Sequence, residues 1–451
     1  MKPYHRLARH SGNSTLFDMV EMSIISNLWG EPLHIHAEGL RGTGKTTIMR
    51  TARNILPPIQ RIKGCLYNCD PKRPHCPNHR HLSPEEVKAL GTEMIPMPFL
   101  EISHSAKIAT VAGSIDLARI TDPTNPTAAL LPGIIPQAHR GIIFIDEINR
   151  LADTSPEITD VLLDVMGTKP GRIQIEEAGL SHVEIPVQVS VWAASNPDEE
   201  PGPLEENRKQ LSDRFDLVLY MGRPTSIEVV SNILLQSEIS RQERLELVEQ
   251  PLEGDTKYGQ QLSKIAEEFK GLTMPDYLRN FISRLYLKYN IESLRAIEAI
   301  QQGAILHCAL RRRKQVLVSD ILRVIPLALK HRVDGDTLTR VLNNVDAREE
   351  TVISFPGTGL AAATQGYPAV SEFENESQTG VKTTVGEQVQ STPPKRNRSL
   401  LEPIRSFFSG GGGASQQLDS GLPMPRARRL GALGKEELIR SENDFKRTEN
   451  Q

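Results

Sequence analysis

Residues 39 to 46 read Gly39-Leu40-Arg41-Gly42-Thr43-Gly44-Lys45-Thr46, a Gly-x4-Gly-Lys-Thr loop. Such a loop works only when a buried strand delivers it and a helix leaves it. Its N–H groups must converge beside the positive end of that helix. Both neighbours are legible here. Residues 33–37 read as a short apolar strand and 47–55 as a helix, which a chance glycine-rich turn would lack. The glycines let the backbone curl around phosphate oxygens. Lys45 then bridges β- and γ-phosphates, and the Thr46 hydroxyl holds Mg²⁺. Gly39, Arg41, Gly42, Thr43, Gly44, Lys45, Thr46 and Thr47 are therefore the expected nucleotide contacts, with ATP and Mg²⁺ the expected ligands.

A loop of this kind requires an α/β domain, and the surrounding pattern supplies one. Short apolar runs at 33–37, 98–102, 141–145, 187–194 and 217–221 interleave with helical stretches, which predicts a three-layer sandwich around a parallel sheet over residues 1–224. From 225 to 345 the period changes to that of amphipathic helices: Leu278, Phe281, Ile282, Leu285 and Tyr286, then Ala296, Ile300, Ala304 and Cys308. That reads as a small all-helical lid domain. From 346 to 451 Thr, Ser, Gly, Pro and Gln come to dominate, and the pattern predicts a flexible linker and disordered tail. Two islands, 400–408 and 435–445, leave open whether the tail only links or also docks a partner.

The chemistry expected of such a site has candidates in the strand tips. The run 141–145 ends in Asp146-Glu147, and ligands of open α/β sheets sit at the carboxyl ends of strands. Asp146 would lie beside the Mg²⁺ held by Thr46, and Glu147 would polarise the attacking water. The run 187–194 ends in Ser195-Asn196-Pro197, where the Asn196 amide can orient water or read the γ-phosphate. Read alone, Asn before Pro is just a turn signal. Arg214, ahead of the last strand candidate, can act as a finger on a neighbouring subunit's nucleotide. Arg295, opening a lid helix, could reach the γ-phosphate from the lid. Taken alone, an arginine of either kind is more often a surface ion pair.

Together these residues resemble the AAA+ ATPases of the magnesium chelatase I-subunit type with their MoxR-like relatives, the clade with an insert in helix 2. The resemblance spans roughly residues 30–335. Beyond the phosphate loop it rests on Gly64-Cys65, Asn68-Cys69-Asp70-Pro71, Gly113-Ser114-Ile115-Asp116-Leu117, Pro132-Gly133 with Ala138-His139-Arg140-Gly141, Asp146-Glu147-Ile148-Asn149, Val161-Leu162-Leu163-Asp164, Asn196-Pro197-Asp198-Glu199 and Asp213-Arg214-Phe215. It implies a helix-2 insert at about 104–137 and a hairpin at about 172–188 with Glu176-Glu177-Ala178-Gly179 at its tip. It implies sensor 1 at Asn196, an arginine finger at Arg214, sensor 2 at Arg295 and an interface role for Arg208. It also implies a homo-oligomeric ring, expected as a hexamer, acting on a separate partner with an integrin-like domain. The chain departs from the family at 105–112 and 198–205, which are contact surfaces rather than ATP chemistry.

Three functions fit this reading: a motor that remodels or activates such a partner, the I subunit of a magnesium chelatase itself, and a DNA translocase. The last needs basic hairpin tips to grip phosphates, and Glu176-Glu177 is acidic. A formal net charge of −3 likewise gives no basic surplus for coating nucleic acid. No apolar run approaches the ~18–20 residues of a bilayer span, and the default location is the cytoplasm. Three of the four cysteines cluster as Cys65-x3-Cys69-x6-Cys76-x2-His79, with His75 and His81 nearby. The cluster reads either as a tetrahedral zinc site or as unmetallated, redox-sensitive loop cysteines.

Overall fold

The run Ile142-Ile143-Phe144-Ile145 has no polar face, so it can rest only in a sheet covered on both sides. The computed structural model, which describes residues 3–115, 130–175, 183–245 and 253–353, contains that sheet. The strands are β1 (Ile35–Glu38), the separate antiparallel pair β2 (Pro58–Ile62) and β3 (Thr92–Pro96), β4 (Phe99–Ile102), the pair β5 (Gly113–Ile115) and β6 (Leu130–Pro132), β7 (Gly141–Asp146), the pair β8 (Gly171–Ile175) and β9 (Val183–Val187), β10 (Val189–Ser195) and β11 (Leu217–Tyr220). The parallel core sheet runs β11-β1-β10-β7-β4, from the five strands expected. The run at 187–194 divides at Gln188: Val187 ends β9 and Val189 begins β10.

Helices of the α/β part are α1 (Ser14–Trp29), α2 (Lys45–Thr51), α3 (Pro84–Leu90), α4 (Ile108–Ala112), α5 (Ile134–Gln137), α6 (Ile148–Thr154), α7 (Pro156–Val165), α8 (Leu204–Asn207) and α9 (Lys209–Arg214). The second set is α10 (Ile227–Leu245), α11 (Glu253–Phe269), α12 (Asp276–Lys288), α13 (Leu294–Leu310), α14 (Val318–Leu329) and α15 (Gly335–Ile353). The last helix continues beyond residue 345, where the linker is expected to start. Residues 354–451, with the two tail islands, and the hairpin tip at 176–179 lie outside the described residues. The same holds for residues 116–129, in the middle of the segment 104–137 expected as a helix-2 insert, of which the described remainder is α4, the β5–β6 pair and α5.

Side chains alternate across the core strands and fill two separate layers. Ile142, Phe144, Trp192 and Ala194 face one core, and Ile143, Ile145, Val191 and Ala193 the other. The first core is continuous with the lid: α1 lies between the sheet and α11 and α13. The contact is specified by polar pins inside it. Trp192 Nε1 donates to Ser23 Oγ at 2.8 Å, Trp29 Nε1 to the Ala266 carbonyl at 2.7 Å, and Tyr258 to Glu21 at 2.7 Å. The fully buried Trp192 indole without its partner would cost about 1–3 kcal/mol, and the partly buried Trp29 and Tyr258 less. Among the described residues, no helix is long and apolar enough to cross a membrane.

Candidate functional site

Register fixes which side chains can meet. Glu38 pairs with Ser195 and Tyr220, and Ala194 with Asp146, so β1, β10 and β7 end at one edge of the sheet. The phosphate loop after Glu38, the Asn196 turn after Ser195 and Glu147 after Asp146 therefore share the carboxyl edge. Gly39, at φ 139°, lies where a Cβ would approach the Met221 carbonyl to 2.8 Å. Gly44, at φ 95°, caps α2 in the left-handed region, so that helix starts at Lys45, two residues earlier than expected. Both positions exclude a side chain, as a phosphate cradle requires.

Within the cradle Lys45 Nζ donates to the carbonyls of Gly39 at 2.6 Å and Leu40 at 2.8 Å. Burial lowers the pKa of this ammonium, while Asp146 and Glu199 pull it back up. The Thr46 hydroxyl donates to Asp146 Oδ1 at 3.2 Å. The two expected Mg²⁺ ligands thus already face each other, a donor set of hard oxygens that suits that ion. Asp146 Oδ2 lies 3.4 Å from Arg50, whose Nε donates to Glu101 at 3.0 Å. Glu147 begins α6 at φ 53° and ψ 49°, a left-handed conformation rare for a residue with a Cβ. Such outliers persist where surrounding structure enforces them, often at reacting groups. Its carboxylate lies 3.3 Å from Arg150.

Asn196 reaches this edge but its amide is engaged: it donates to Glu199, which also pairs with Arg41 and lies 3.7 Å from Arg150. Glu199 is thus a junction of the loop, the Asn196 turn and α6.

Arg214 and Arg295 lie elsewhere. Arg214 ends α9, ahead of β11, whose first residue Leu217 pairs with Ile35. That is the amino edge of the sheet, the opposite end from Lys45. Arg214 Nη1 contacts the Gly167 carbonyl at 3.4 Å, and Arg295 Nη2 donates to the same carbonyl at 2.9 Å. The structure therefore brings the two arginines together and does not bring Arg295 to its own phosphate loop. Burial lowers the Arg214 pKa, and the Arg295 charge adds to the effect. A cleft of about 400 Å³ opens here, lined by His34, Lys169, Arg214, Arg295 and Arg332 among others. Arg208 stays local, donating to the Ala152 carbonyl at 3.2 Å.

What holds this edge together escapes sequence reading. Arg332, after α14, has a side chain only 2% exposed; it donates to Asp213 Oδ1 at 2.9 Å and to the Asp213 and Phe215 carbonyls at 2.6 and 2.8 Å. Ser293 Oγ donates to the same carboxylate at 3.0 Å, and His331 bonds the Phe215 carbonyl at 3.0 Å. The lid is thus fastened to the segment that carries Arg214. The one hint in the sequence is the basic triplet Lys330-His331-Arg332 at a helix end.

The cysteine cluster converges too. One ligand atom each from Cys65, Cys69, Cys76 and His79 all fall within 4.8 Å of one another.

Comparison with known proteins agrees with the motifs. Residues 279–351 match the AAA lid domain family. The magnesium-chelatase 38 kDa subunit of Acidiphilium rubrum is 27% identical over 349 residues, covering 76% of this chain and 96% of the relative. The chloroplastic magnesium-chelatase subunit ChlI of Oryza sativa subsp. indica is 29% identical, covering 67% and 70%. Among solved structures, a chain from the complex between subunits BchI and BchD of magnesium chelatase is 22% identical, with 75% of this chain and 98% of that chain covered and a TM-score of 0.39. The sequence relatives and the lid match, taken with the strand order and the loop, identify the chain as an AAA+ ATPase related to the magnesium chelatase I subunits.

Proposed function

We propose that the chain hydrolyses ATP at sites shared between neighbouring copies in a ring, and that the cycle remodels or activates a separate partner bearing an integrin-like domain. One observation carries the shared site: Lys45, Thr46, Asp146 and Glu147 lie at the carboxyl edge of the sheet, and Arg214 and Arg295 at the amino edge. One copy cannot apply both sets to one nucleotide. Two copies packed edge to edge can.

In this reading Lys45 and the loop N–H groups hold the β- and γ-phosphates of ATP, and Thr46 and Asp146 hold Mg²⁺. The bound ion supplies charge neutralisation at the transferring phosphoryl group. Glu147 orients a water and takes its proton. Asn196, released from Glu199, points its amide toward that water. Arg214 and Arg295 present positive charge to the neighbour's nucleotide, and Asp213 and Arg332 keep them in position.

A second reading, the I subunit of a magnesium chelatase itself, is favoured by the names of the relatives. Adding a purified integrin-domain protein, with and without a porphyrin-binding subunit, separates the two readings. The motor responds to the first alone with a change in ATPase rate; the chelatase also needs the second to insert Mg²⁺.

The shared site is tested by mixing dead variants. Arg214→Ala and Glu147→Gln should each be inactive, while mixed assemblies recover turnover where an intact Glu147 site faces an intact Arg214. An absence of recovery in assemblies verified to contain both chains would falsify the shared site.

A further inference from the structure

Residues 63–83, between β2 and α3, contain no helix or strand, only an isolated bridge between Asp70 and Arg73. Structureless loops longer than about 12–15 residues are uncommon in compact domains. This one carries Pro71, Pro74 and Pro77 with several charged residues, so it has little apolar surface to hold it. Yet it is folded inward. Cys65, Cys69 and Cys76 are 0–3% exposed, and His79 is half-buried beside them.

We propose that Cys65, Cys69, Cys76 and His79 bind one structural zinc ion, which staples this loop to the roots of β7 and β10. Three observations point the same way. First, the four ligand atoms lie within 4.8 Å of one another. A tetrahedral ion with Zn–S of ~2.3 Å spaces its ligand atoms by ~3.8 Å, so small side-chain rotations close the site. The grouping is too tight for a two-iron cluster. Second, the backbone is set up for thiolates. The N–H groups of His75 and Cys76 both aim at Cys69 Sγ, each at 3.4 Å. His75 Nδ1 approaches the same sulfur at 3.2 Å. Donors converging on a ligand sulfur are the usual outer layer of a metal site. Third, the loop is continuous with the catalytic strands rather than a free appendage. Asn68 Nδ2 donates to the Gln137 carbonyl at 2.6 Å, Asp70 lies 3.6 Å from Arg140, and His75 stacks on His139 with ring centroids 3.7 Å apart. His139 Nδ1 in turn accepts the Gln188 N–H at 3.0 Å, just before β10.

These contacts meet β7 at its amino end, remote from Lys45. The ion therefore bears on stability, with no direct part in nucleotide binding.

The test uses full-length protein expressed with zinc and purified without chelator or a metal-affinity column. Elemental analysis should give about one zinc per chain, and a thiol-directed mercurial should release it stoichiometrically. Cys65→Ser, Cys76→Ser and His79→Ala should each cut zinc content at least tenfold, while His75→Ala, which loses only an outer-layer contact, keeps about one zinc per chain at an affinity lowered ~10–100-fold. The His79→Ala variant, the mildest, should lose about 5 °C or more of Tm yet bind nucleotide within about threefold of wild type. Folded wild-type protein with under about 0.1 zinc, with a disulfide among these cysteines, or with stoichiometric iron and sulfide would overturn the proposal. Retention of zinc in His79→Ala with loss in His75→Ala would overturn the ligand set.

Discussion

The two edges of the central sheet differ in how their chemistry is encoded. At the carboxyl edge the groups that meet are each one step from a strand end: Glu38 leads into the phosphate loop, Asp146 into Glu147, and Ser195 into Asn196. At the amino edge Gly167, Arg214, Arg295 and Arg332 come from four separate stretches of chain: the Gly167 carbonyl takes Arg214 and Arg295, and the Asp213 carboxylate takes Arg295 and Arg332. Parallel pairing alone assembles the first. The second exists only when the lid is docked. A site of local origin can bind by itself, whereas a site assembled from lid and body can report whether neighbours and partners are in place.

This contrast implies that damage at the two edges should break different steps. Arg214→Ala should reduce kcat by ~10³–10⁵ while leaving ATP affinity within a few-fold, because a finger acts on charge that develops during transfer. Lys45→Ala should instead abolish measurable nucleotide binding. Fluorescent-nucleotide titration beside steady-state turnover distinguishes them. An Arg214→Ala protein that turns over near the wild-type rate would reduce the amino edge to an ordinary ion-pair cluster.

Glu147→Gln should come next, with turnover down by ~10²–10⁴ and binding preserved. Its left-handed backbone adds a control: Glu147→Gly removes the carboxylate while relieving the conformation, so it should be as inactive but no less stable. Activity of Glu147→Gln within a few-fold of wild type would mean that another group handles the water.

The legibility of the two edges follows their construction. The loop, Asp146, Glu147 and Asn196 could be read from the sequence because continuous apolar runs mark where each strand ends. Arg214 was legible as a residue, and its edge followed from the strand behind it. The position of Arg295 was not, since periodicity gives a helix but not its docking. Helix α1 went unread for another reason: nearly every residue from Leu16 to Asn27 is buried, so no polar face marks a helical period. The pairings of Arg50, Asp213 and Arg332 are invisible in the sequence because they join positions far apart along the chain, as between Arg332 and Asp213.

Arg332→Ala tests whether the amino edge works as a unit with the lid. Arg332 is the buried member of this ion pair, whereas Asp213 keeps about a third of its side chain in water, so removing Arg332 costs less than the ~3–5 kcal/mol of a fully buried pair. The loss should lower Tm by several degrees and reduce turnover without a matching loss of ATP affinity. Arg340→Ala, at an exposed position of α15, serves as the control for a lid arginine that does not fasten the body. Equal effects of the two substitutions would show that the lid tolerates loosening there, and that Arg214 and Arg295 are held by something other than Asp213.

The smallest effect belongs to Glu199, where the carboxyl edge holds itself back. Its carboxylate engages both Arg41 in the phosphate loop and the Asn196 amide, the two groups that the proposed mechanism assigns to phosphate and water. Nucleotide entry must therefore compete with Glu199 for them. The competition is weak, because Arg41 is 67% exposed and exposed ion pairs contribute roughly 0–1 kcal/mol. Glu199→Gln keeps the shape, removes the charge and frees Arg41, so KM for ATP should fall by a factor of about two to five. The fall should shrink at high salt, as a screened surface pair requires. Turnover should change less than KM, since Glu147 and the amino-edge arginines are untouched. If KM rises instead, Glu199 acts with the nucleotide rather than against it, holding Arg41 and Asn196 in their working positions. The carboxyl edge would then be a pre-formed site with no internal brake, and all regulation would fall to the edge that depends on the lid.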